Sequence, residues 1–251
     1  MDLHGAVAVV TGTSSGLGHQ LALDLADAGA IVVGLARRPQ QQEELGAELA
    51  RRSPGSRAEV ADVSEVEGYV TLVKEIEARH SRIDVLVNNA AAFEPEGPPT
   101  LAGFRAVMET NFFATVGGTL TVLPGTRERG RGAVVNVSSD IARAPIPGEV
   151  TYGASKAAIT SFTEALSFAE ARRGVTLHVL YPAYIPRDLE SAPSLGERLV
   201  VRTDAQVSAL VLKALRQGRP DINAAWLPRL APALRAVAPG LYRRFLPRAT
   251  P

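Results

Sequence analysis

Short apolar runs alternate with amphipathic stretches along most of this 251-residue chain. Val7–Val10, Ile31–Leu35, Ala58–Val60, Ile83–Val87, Ala133–Val137 and Val175–Leu180 read as strands. Between and after them, Leu17–Ala28, Gln40–Arg51, Glu65–Arg79, Leu101–Leu123, Tyr152–Arg172 and Asp204–Arg216 read as helices. The long helix from Leu101 is expected to stop at Pro124-Gly125, because proline has no N–H to continue the ladder. Strands that are nearly all apolar, each followed by a helix, call for a parallel sheet covered on both faces. No Gly/Ser linker or internal repeat interrupts the pattern. The expectation is an α/β fold: one domain built on a doubly wound parallel sheet, with ligands beyond the carboxyl ends of its strands.

Composition narrows the function classes. An apolar fraction of 46% is ample for a core, and a net charge of +1 gives no global field for nucleic acid or an acidic partner. Cysteine is absent, which excludes disulfides and thiolate sites. His4, His19, His80 and His178 are scattered without metal-ligand spacing, so no metal is expected. Met1–Gly5 carries no basic segment ahead of a long hydrophobic stretch, and no apolar run reaches the ~18 residues of a membrane span. A cytoplasmic protein is the expectation.

The chemistry concentrates at Tyr152-Gly153-Ala154-Ser155-Lys156, with Ser139 upstream. A Tyr and a Lys four residues apart share one face of a helix. A nearby ammonium favours the phenolate, which makes a phenol of ordinary pKa near ~10 a usable acid/base. Ser139 is placed to hold a substrate oxygen while Tyr152 protonates it. The chain contains 24 Arg and three Lys (Lys74, Lys156, Lys213), so a compact, tunable ammonium at 156 stands out from the bias.

A nucleotide site is expected at the first strand-to-helix turn. Thr11-Gly12-Thr13-Ser14-Ser15-Gly16-Leu17-Gly18 has the spacing G-x-x-x-G-x-G at a helix N-terminus, where free N–H groups meet a pyrophosphate. The second strand ends at Ala36, followed by Arg37-Arg38 in place of the acid that would accept from a ribose 2′-hydroxyl. Two guanidiniums suit a 2′-phosphate, so NADP(H) is predicted, with NAD(H) as the alternative. Asp62-Val63 is placed to contact the adenine, and Asp62 equally to cap the helix that follows. Asn88-Asn89-Ala90-Ala91 follows the fourth strand, where the ribose or nicotinamide half would lie, although Asn is also a plain turn former. Asn111 lies inside an apolar helix and must be hydrogen-bonded there.

Together, TGTSSGLG, Asp62-Val63, NNAA, Asn111, Ser139, YGASK and Pro182 resemble the compact members of the short-chain dehydrogenase/reductase family, over about Leu3 to Pro182. The resemblance implies a Rossmann fold, hydride transfer between nicotinamide and a carbonyl or alcohol, and a homodimer or homotetramer. It implies Tyr152 as acid/base and Lys156 as ribose ligand that lowers the Tyr152 pKa. Ser139 would orient the carbonyl, and Asn111 would hold a water in a proton relay. Cofactor contacts would fall on Gly12, Ser14, Ser15, Gly16, Leu17, Gly18, Arg37, Arg38, Asp62, Val63, Asn89, Ala90, Ala91, Tyr152, Lys156, Pro182 and Ile185. Two positions depart from the pattern: Ala91 replaces a glycine, and Arg187 stands in register where a threonine meets the carboxamide. Arg187 is expected at the mouth of the site without a chemical role. A ketone or aldehyde reductase is the leading expectation. A catalytically silent NADP sensor, an enoyl reductase and an epimerase on the same fold are the alternatives.

From about residue 224 a tail interleaves apolar residues (Trp226, Leu234, Leu241, Phe245) with Arg229, Arg235, Arg243, Arg244 and Arg248. It is expected to cover the substrate cleft or another subunit, with an anionic membrane surface as the alternative.

Overall fold

The architecture is taken from a computed structural model that describes residues 1–93, 97–182, 202–225, 227–240 and 242. Its strands are β1 (Val7–Thr11), β2 (Ile31–Ala36), β3 (Arg57–Val60), β4 (Val85–Asn88), β5 (Gly132–Val137), β6 (Val175–Tyr181) and β7 (Asp221–Asn223). Its helices are α1 (Gly16–Asp27), α2 (Pro39–Arg52), α3 (Val66–His80), α4 (Leu101–Met108), α5 (Ala114–Glu128), α6 (Val150–Glu170), α7 (Asp204–Gln217) and α8 (Ala231–Val237). The seven strands form one sheet in the order β3-β2-β1-β4-β5-β6-β7, every pairing parallel. The direction of winding reverses between β1 and β4, which is where such sheets open a crevice for ligands.

Alternation along each strand sends successive side chains to opposite faces. Ala8 and Val10 of β1 enter a core cluster with Leu21 and Leu25 of α1, Leu45 and Leu49 of α2, and Val207 and Val211 of α7. Val9, between them, enters the other cluster with Tyr69, Val73 and Ile76 of α3 and Val122 and Leu123 of α5. Both faces are therefore buried, and truncating a side chain such as Leu25, fully shielded from solvent, to Ala would cost about 2–5 kcal/mol. The edge strand β3 differs. Its Arg57 and Glu59 pair with each other and Glu59 with Arg79, charges that an edge tolerates and a central strand does not.

The helix from Leu101 does not end at Pro124-Gly125. It carries a π-helical turn at Glu109–Phe113 and runs through Pro124 to Glu128. Pro124 deprives only the Leu120 carbonyl of its donor, and Leu120 is half exposed, so solvent can supply one. The short strand β7 was not expected from its three residues. It forms because β6 has a free edge, along which Leu180 pairs with Ile222. α7 begins where expected, on a capping box in which Thr203 and Gln206 satisfy each other's backbone N–H groups. In the tail, α8 leaves Val237 exposed and Tyr242 is buried; Trp226, Leu241 and residues 243–251, with Arg243, Arg244 and Arg248, lie outside the described residues. Among the described residues no helix is long and apolar enough to cross a membrane.

Candidate active site

The carboxyl ends of β1, β2, β4 and β5 bring four separated motifs to one edge of the sheet. The turn after β1 holds the glycines. Ser15, the residue before α1, makes no side-chain cap, and the first turn of α1 holds no acid. Among the described residues, no side chain caps the orphan N–H groups at that terminus. Gly16 has φ +60° and is exposed, and the one neighbour a Cβ there would meet is an Asp204 carboxylate oxygen at 4.0 Å. A Cβ at Gly18 would sit 2.3 Å from the Gly12 carbonyl and 2.4 Å from the Asn89 amide, which is why that position admits only glycine. A diphosphate fits this uncapped terminus. Leu17 packs its side chain into the core, so its backbone N–H is what it can offer.

The segment after β4 is stitched to that turn. Thr11 Oγ1 accepts from the N–H groups of both Asn89 and Ala90 at 3.0 Å. Asn89 Nδ2 donates to the Thr11 carbonyl at 2.9 Å. Val63 is buried and lines a crevice with Thr11, Tyr69, Asn88, Ala90 and Ala114. Asn88 itself is turned away: its amide bonds Asn136 (2.8 Å) and Thr119 (3.2 Å) and accepts from the Tyr69 phenol, whose pKa burial pushes up.

At the tip of β2 the two arginines part company. Arg38 donates to Ser14 Oγ and Ser15 Oγ, both at 2.8 Å, bridging to the glycine-rich turn. Arg37 is 70% exposed and stands 3.8 Å from the Asp62 carboxylate. Asp62 accepts from the Ser64 backbone N–H (3.0 Å) and hydroxyl (2.7 Å), holding the turn ahead of α3. It is not the N-cap: that position is Glu65, whose side chain makes no cap.

The acid/base end lies between β5 and α6. Ser139 follows β5 and heads a short 3-10 turn, Asp140–Ala142, its hydroxyl accepting from the Ile141 N–H at 3.3 Å. The same hydroxyl is close enough to the Tyr152 phenol to lower its pKa. Tyr152 is in the first turn of α6, and Lys156 is one turn on. The Lys156 Nζ lies 5.4 Å from the Tyr152 ring centroid and donates to the Val137 carbonyl at 2.8 Å. Lys156 is 2% exposed, and burial pushes its ammonium down to about 7.

The direction expected for the phenol is reversed. Burial pushes the Tyr152 phenol up to about 12, the Ser139 hydrogen bond offsetting part of the rise and the Glu149 carboxylate adding to it. In a poorly hydrated site both ions are penalised, so the phenol holds its proton and the amine gives its up more readily.

Asn111 is fully buried in the π-helical turn. Its Oδ1 accepts from the Ala92 N–H at 2.7 Å, while its Nδ2 donates to the Ala92 carbonyl (3.0 Å) and to Ser155 Oγ (2.9 Å). Ser155 in turn donates to the Tyr152 carbonyl at 2.7 Å. The side chain is thus committed to tying the segment after β4 to α6. A π-helical turn at such a place is a common functional marker that sequence periodicity hides.

Sequence reasoning missed three side chains here. Phe93 stacks on Tyr152 with ring centroids 5.0 Å apart. Arg143 lies 3.2 Å over the Tyr181 ring centroid and donates to Asn223 Oδ1, pinning the segment after Ser139 to the ends of β6 and β7. Ser138 donates to the Lys156 carbonyl at 2.9 Å, joining β5 to α6. Single residues in irregular segments carry no periodic signal. Pro182 follows β6; Ile185 and Arg187 lie outside the described residues.

Comparison with known proteins places this arrangement. A family model described as short chain dehydrogenase matches residues 6–194. Dehydrogenase/reductase SDR family member 7B of Bos taurus is 32% identical, the match covering 97% of this chain and 81% of that protein. The 11-beta-hydroxysteroid dehydrogenase A of Sesamum indicum is 33% identical over 90% of this chain and 70% of its own. Among solved structures, a short-chain dehydrogenase from Streptomyces avermitilis superposes with a TM-score of 0.81 at 28% identity, covering 97% of both chains. A metagenomic short-chain oxidoreductase in complex with NADP superposes with a TM-score of 0.76 at 25% identity, over 89% of this chain and 96% of that one. The chain belongs to the short-chain dehydrogenase/reductase family, NAD(P)-using oxidoreductases that act on CH–OH and C=O groups of small molecules.

Proposed function

We propose that this protein is an NADP(H)-dependent reductase of ketones or aldehydes, with Tyr152 as the proton donor. The observation that carries the proposal is the Tyr152 phenol beside Ser139, with the buried Lys156 one helical turn away and its Nζ 5.4 Å from the Tyr152 ring centroid. When bound, the nicotinamide supplies hydride-transfer chemistry at the carbonyl carbon. The uncapped N-terminus of α1 and the glycine-rich turn would hold the diphosphate. Val63 would flank the adenine, and Ala90, which lines the same crevice, the neighbouring ribose. Arg38 with Ser14 and Ser15 would take a 2′-phosphate, and Arg37 would add positive charge at a distance. The NADP in the metagenomic relative's structure agrees with this preference.

The chain's own groups then divide the work on the substrate. Ser139 and Tyr152 converge on one oxygen, which orients a carbonyl and excludes competing poses. Tyr152 gives its proton to that oxygen as negative charge develops there. A phenol held protonated well above neutrality suits reduction, because the donor is loaded at working pH. Among the described residues, Lys156 spends one of its three donors on the Val137 carbonyl and keeps two for ribose hydroxyls. Asn111 and Ser155 hold the Tyr152 turn against the segment after β4. Exposed Phe113, Leu120 and Phe168 on α5, its preceding turn and α6 are consistent with burial in a homodimer or homotetramer.

NADPH consumption over a panel of ketones and aldehydes tests the reading, with Tyr152→Phe as the control. Turnover by the native chain and loss in the variant, with NADPH still bound, is expected. Tight NADPH binding without turnover of any carbonyl would favour a silent sensor and overturn the proposal.

A further inference from the structure

α2 buries Gln42, Leu45 and Leu49, the i, i+3, i+7 stripe of an amphipathic helix, but the first slot holds an amide. Gln42 is 2% exposed, and an amide at such depth must be fully hydrogen-bonded. Its Nε2 donates to the Gly34 carbonyl at 3.0 Å and to the Glu59 carbonyl at 2.8 Å. Its Oε1 accepts from Thr13 Oγ1 at 3.0 Å. Two backbone carbonyls can only accept, so their chemistry sets which way the amide points.

One side chain therefore joins β2, β3, α2 and the glycine-rich turn. Thr13 is itself fully buried, and its N–H donates to the Leu35 carbonyl at 3.3 Å. Ser14 and Ser15, the partners of Arg38, follow it directly. On the other side, the Gln42 N–H donates to the Arg38 carbonyl at 3.1 Å, one turn away at the start of α2. That backbone bond is the first of α2 and survives any substitution short of proline, so the Gln42 side chain acts on the bridge through Thr13. A leucine would fill the slot and continue the apolar stripe, so packing alone does not call for glutamine.

We propose that Gln42, through Thr13, is a positioning residue for cofactor discrimination: it holds Arg38 and the Ser14–Ser15 hydroxyls in one constellation for a 2′-phosphate. The proposal rests on the NADP(H) reading above. It is tested by fluorescence titration of NADPH and NADH on the purified protein, with thermal unfolding measured alongside. Arg38→Ala should lower the NADPH-over-NADH affinity ratio about tenfold, one charged contact's worth. Gln42→Leu should lower it roughly fivefold, and adding Gln42→Leu to Arg38→Ala should lower it little further, because both act on one contact. Thr13→Val breaks only the link to the turn and should shift the ratio in the same direction, which keeps the test decisive if Gln42→Leu does not fold. A general loss of structure would weaken both cofactors alike and leave the ratio unmoved. A ratio that falls in Arg38→Ala but stays put in Gln42→Leu and Thr13→Val overturns the positioning role and spares the NADP(H) reading. A ratio untouched by Arg38→Ala overturns the NADP(H) reading itself.

Discussion

The two ends of the cleft are built on opposite principles. The acid/base end is poorly hydrated: Lys156 is 2% exposed, Asn111 is fully buried, and each polar group leans on backbone. The β2 tip is wet: Arg37 is 70% exposed, and its Asp62 partner is 39% exposed at 3.8 Å. Burial makes geometry stringent, since a displaced group loses partners that water cannot replace. Exposure makes geometry forgiving and leaves charge as the main discriminator. Chemistry should therefore be fragile to single atoms at the first end, and cofactor choice adjustable by small steps at the second.

The largest effect should come from Tyr152→Phe, which removes one oxygen from the dry end. We expect kcat for carbonyl reduction to fall by about 10²–10⁴-fold, with NADPH affinity little changed. Steady-state rates within a few-fold of the native enzyme would break the comparison, since the half-buried phenol would then be dispensable.

Next in size is Asn111→Ala, which strands the Ala92 N–H and carbonyl, while Ser155 keeps its bond to the Tyr152 carbonyl. Each unsatisfied buried group costs about 1–3 kcal/mol, so the midpoint of thermal unfolding should drop by several degrees. Because Phe93 beyond Ala92 stacks on Tyr152, kcat should fall as well. An unchanged Tm would mean that water enters this end freely.

The pH dependence of stability sharpens the same point. Burial lowers the Lys156 pKa to about 7, below the ~10.4 of an unfolded lysine, so the unfolded chain binds the extra proton between those values. The Lys156 contribution is therefore complete above the unfolded pKa and is lost as pH falls towards 7. Thermal melts should show the native chain gaining on Lys156→Met between pH 7 and 10. A constant difference across that range would place the lysine in contact with solvent.

The smallest effects belong to the wet end, and there the two arginines should separate. Arg38→Ala should weaken NADPH binding about tenfold, as one charge-assisted contact would. Arg37→Ala should change stability by less than about 1 kcal/mol and NADPH binding by no more than a few-fold. Equal effects at both positions, read by titration, would show that summed charge decides and that the Arg38 bridge to Ser14 and Ser15 has no special place.

Much of this was readable in the chain. Alternating apolar strands and amphipathic helices carry the parallel sheet, because a strand buried on both faces cannot hide its composition. The Tyr152–Lys156 spacing and the glycines at 12, 16 and 18 were equally plain, because one helical turn and one tight turn admit few alternatives. The rest was lost for definite reasons. Pro124 reads as a stop, yet it leaves only the carbonyl of half-exposed Leu120 without its helical donor, and the helix continues. The π-helical turn at Asn111 breaks the very period by which helices are recognised. The lowered phenol pKa was inferred from the neighbouring ammonium alone, and burial, which sequence does not display, runs the other way.

Local spacing by itself determined the fold class, the strand-to-helix turns and the placing of Tyr152 and Lys156 on one helix face, since those depend on residues within one turn or one strand of each other. Only the tertiary structure decided which arginine meets the glycine-rich turn, that Gln42 joins that turn to β2 and β3, and that Phe93 lies on Tyr152. These contacts join residues up to 59 positions apart and depend on which elements the parallel order sets side by side. Burial is a property of that packing, and it is burial that turns the same side chains into either a stringent chemical site or an adjustable one.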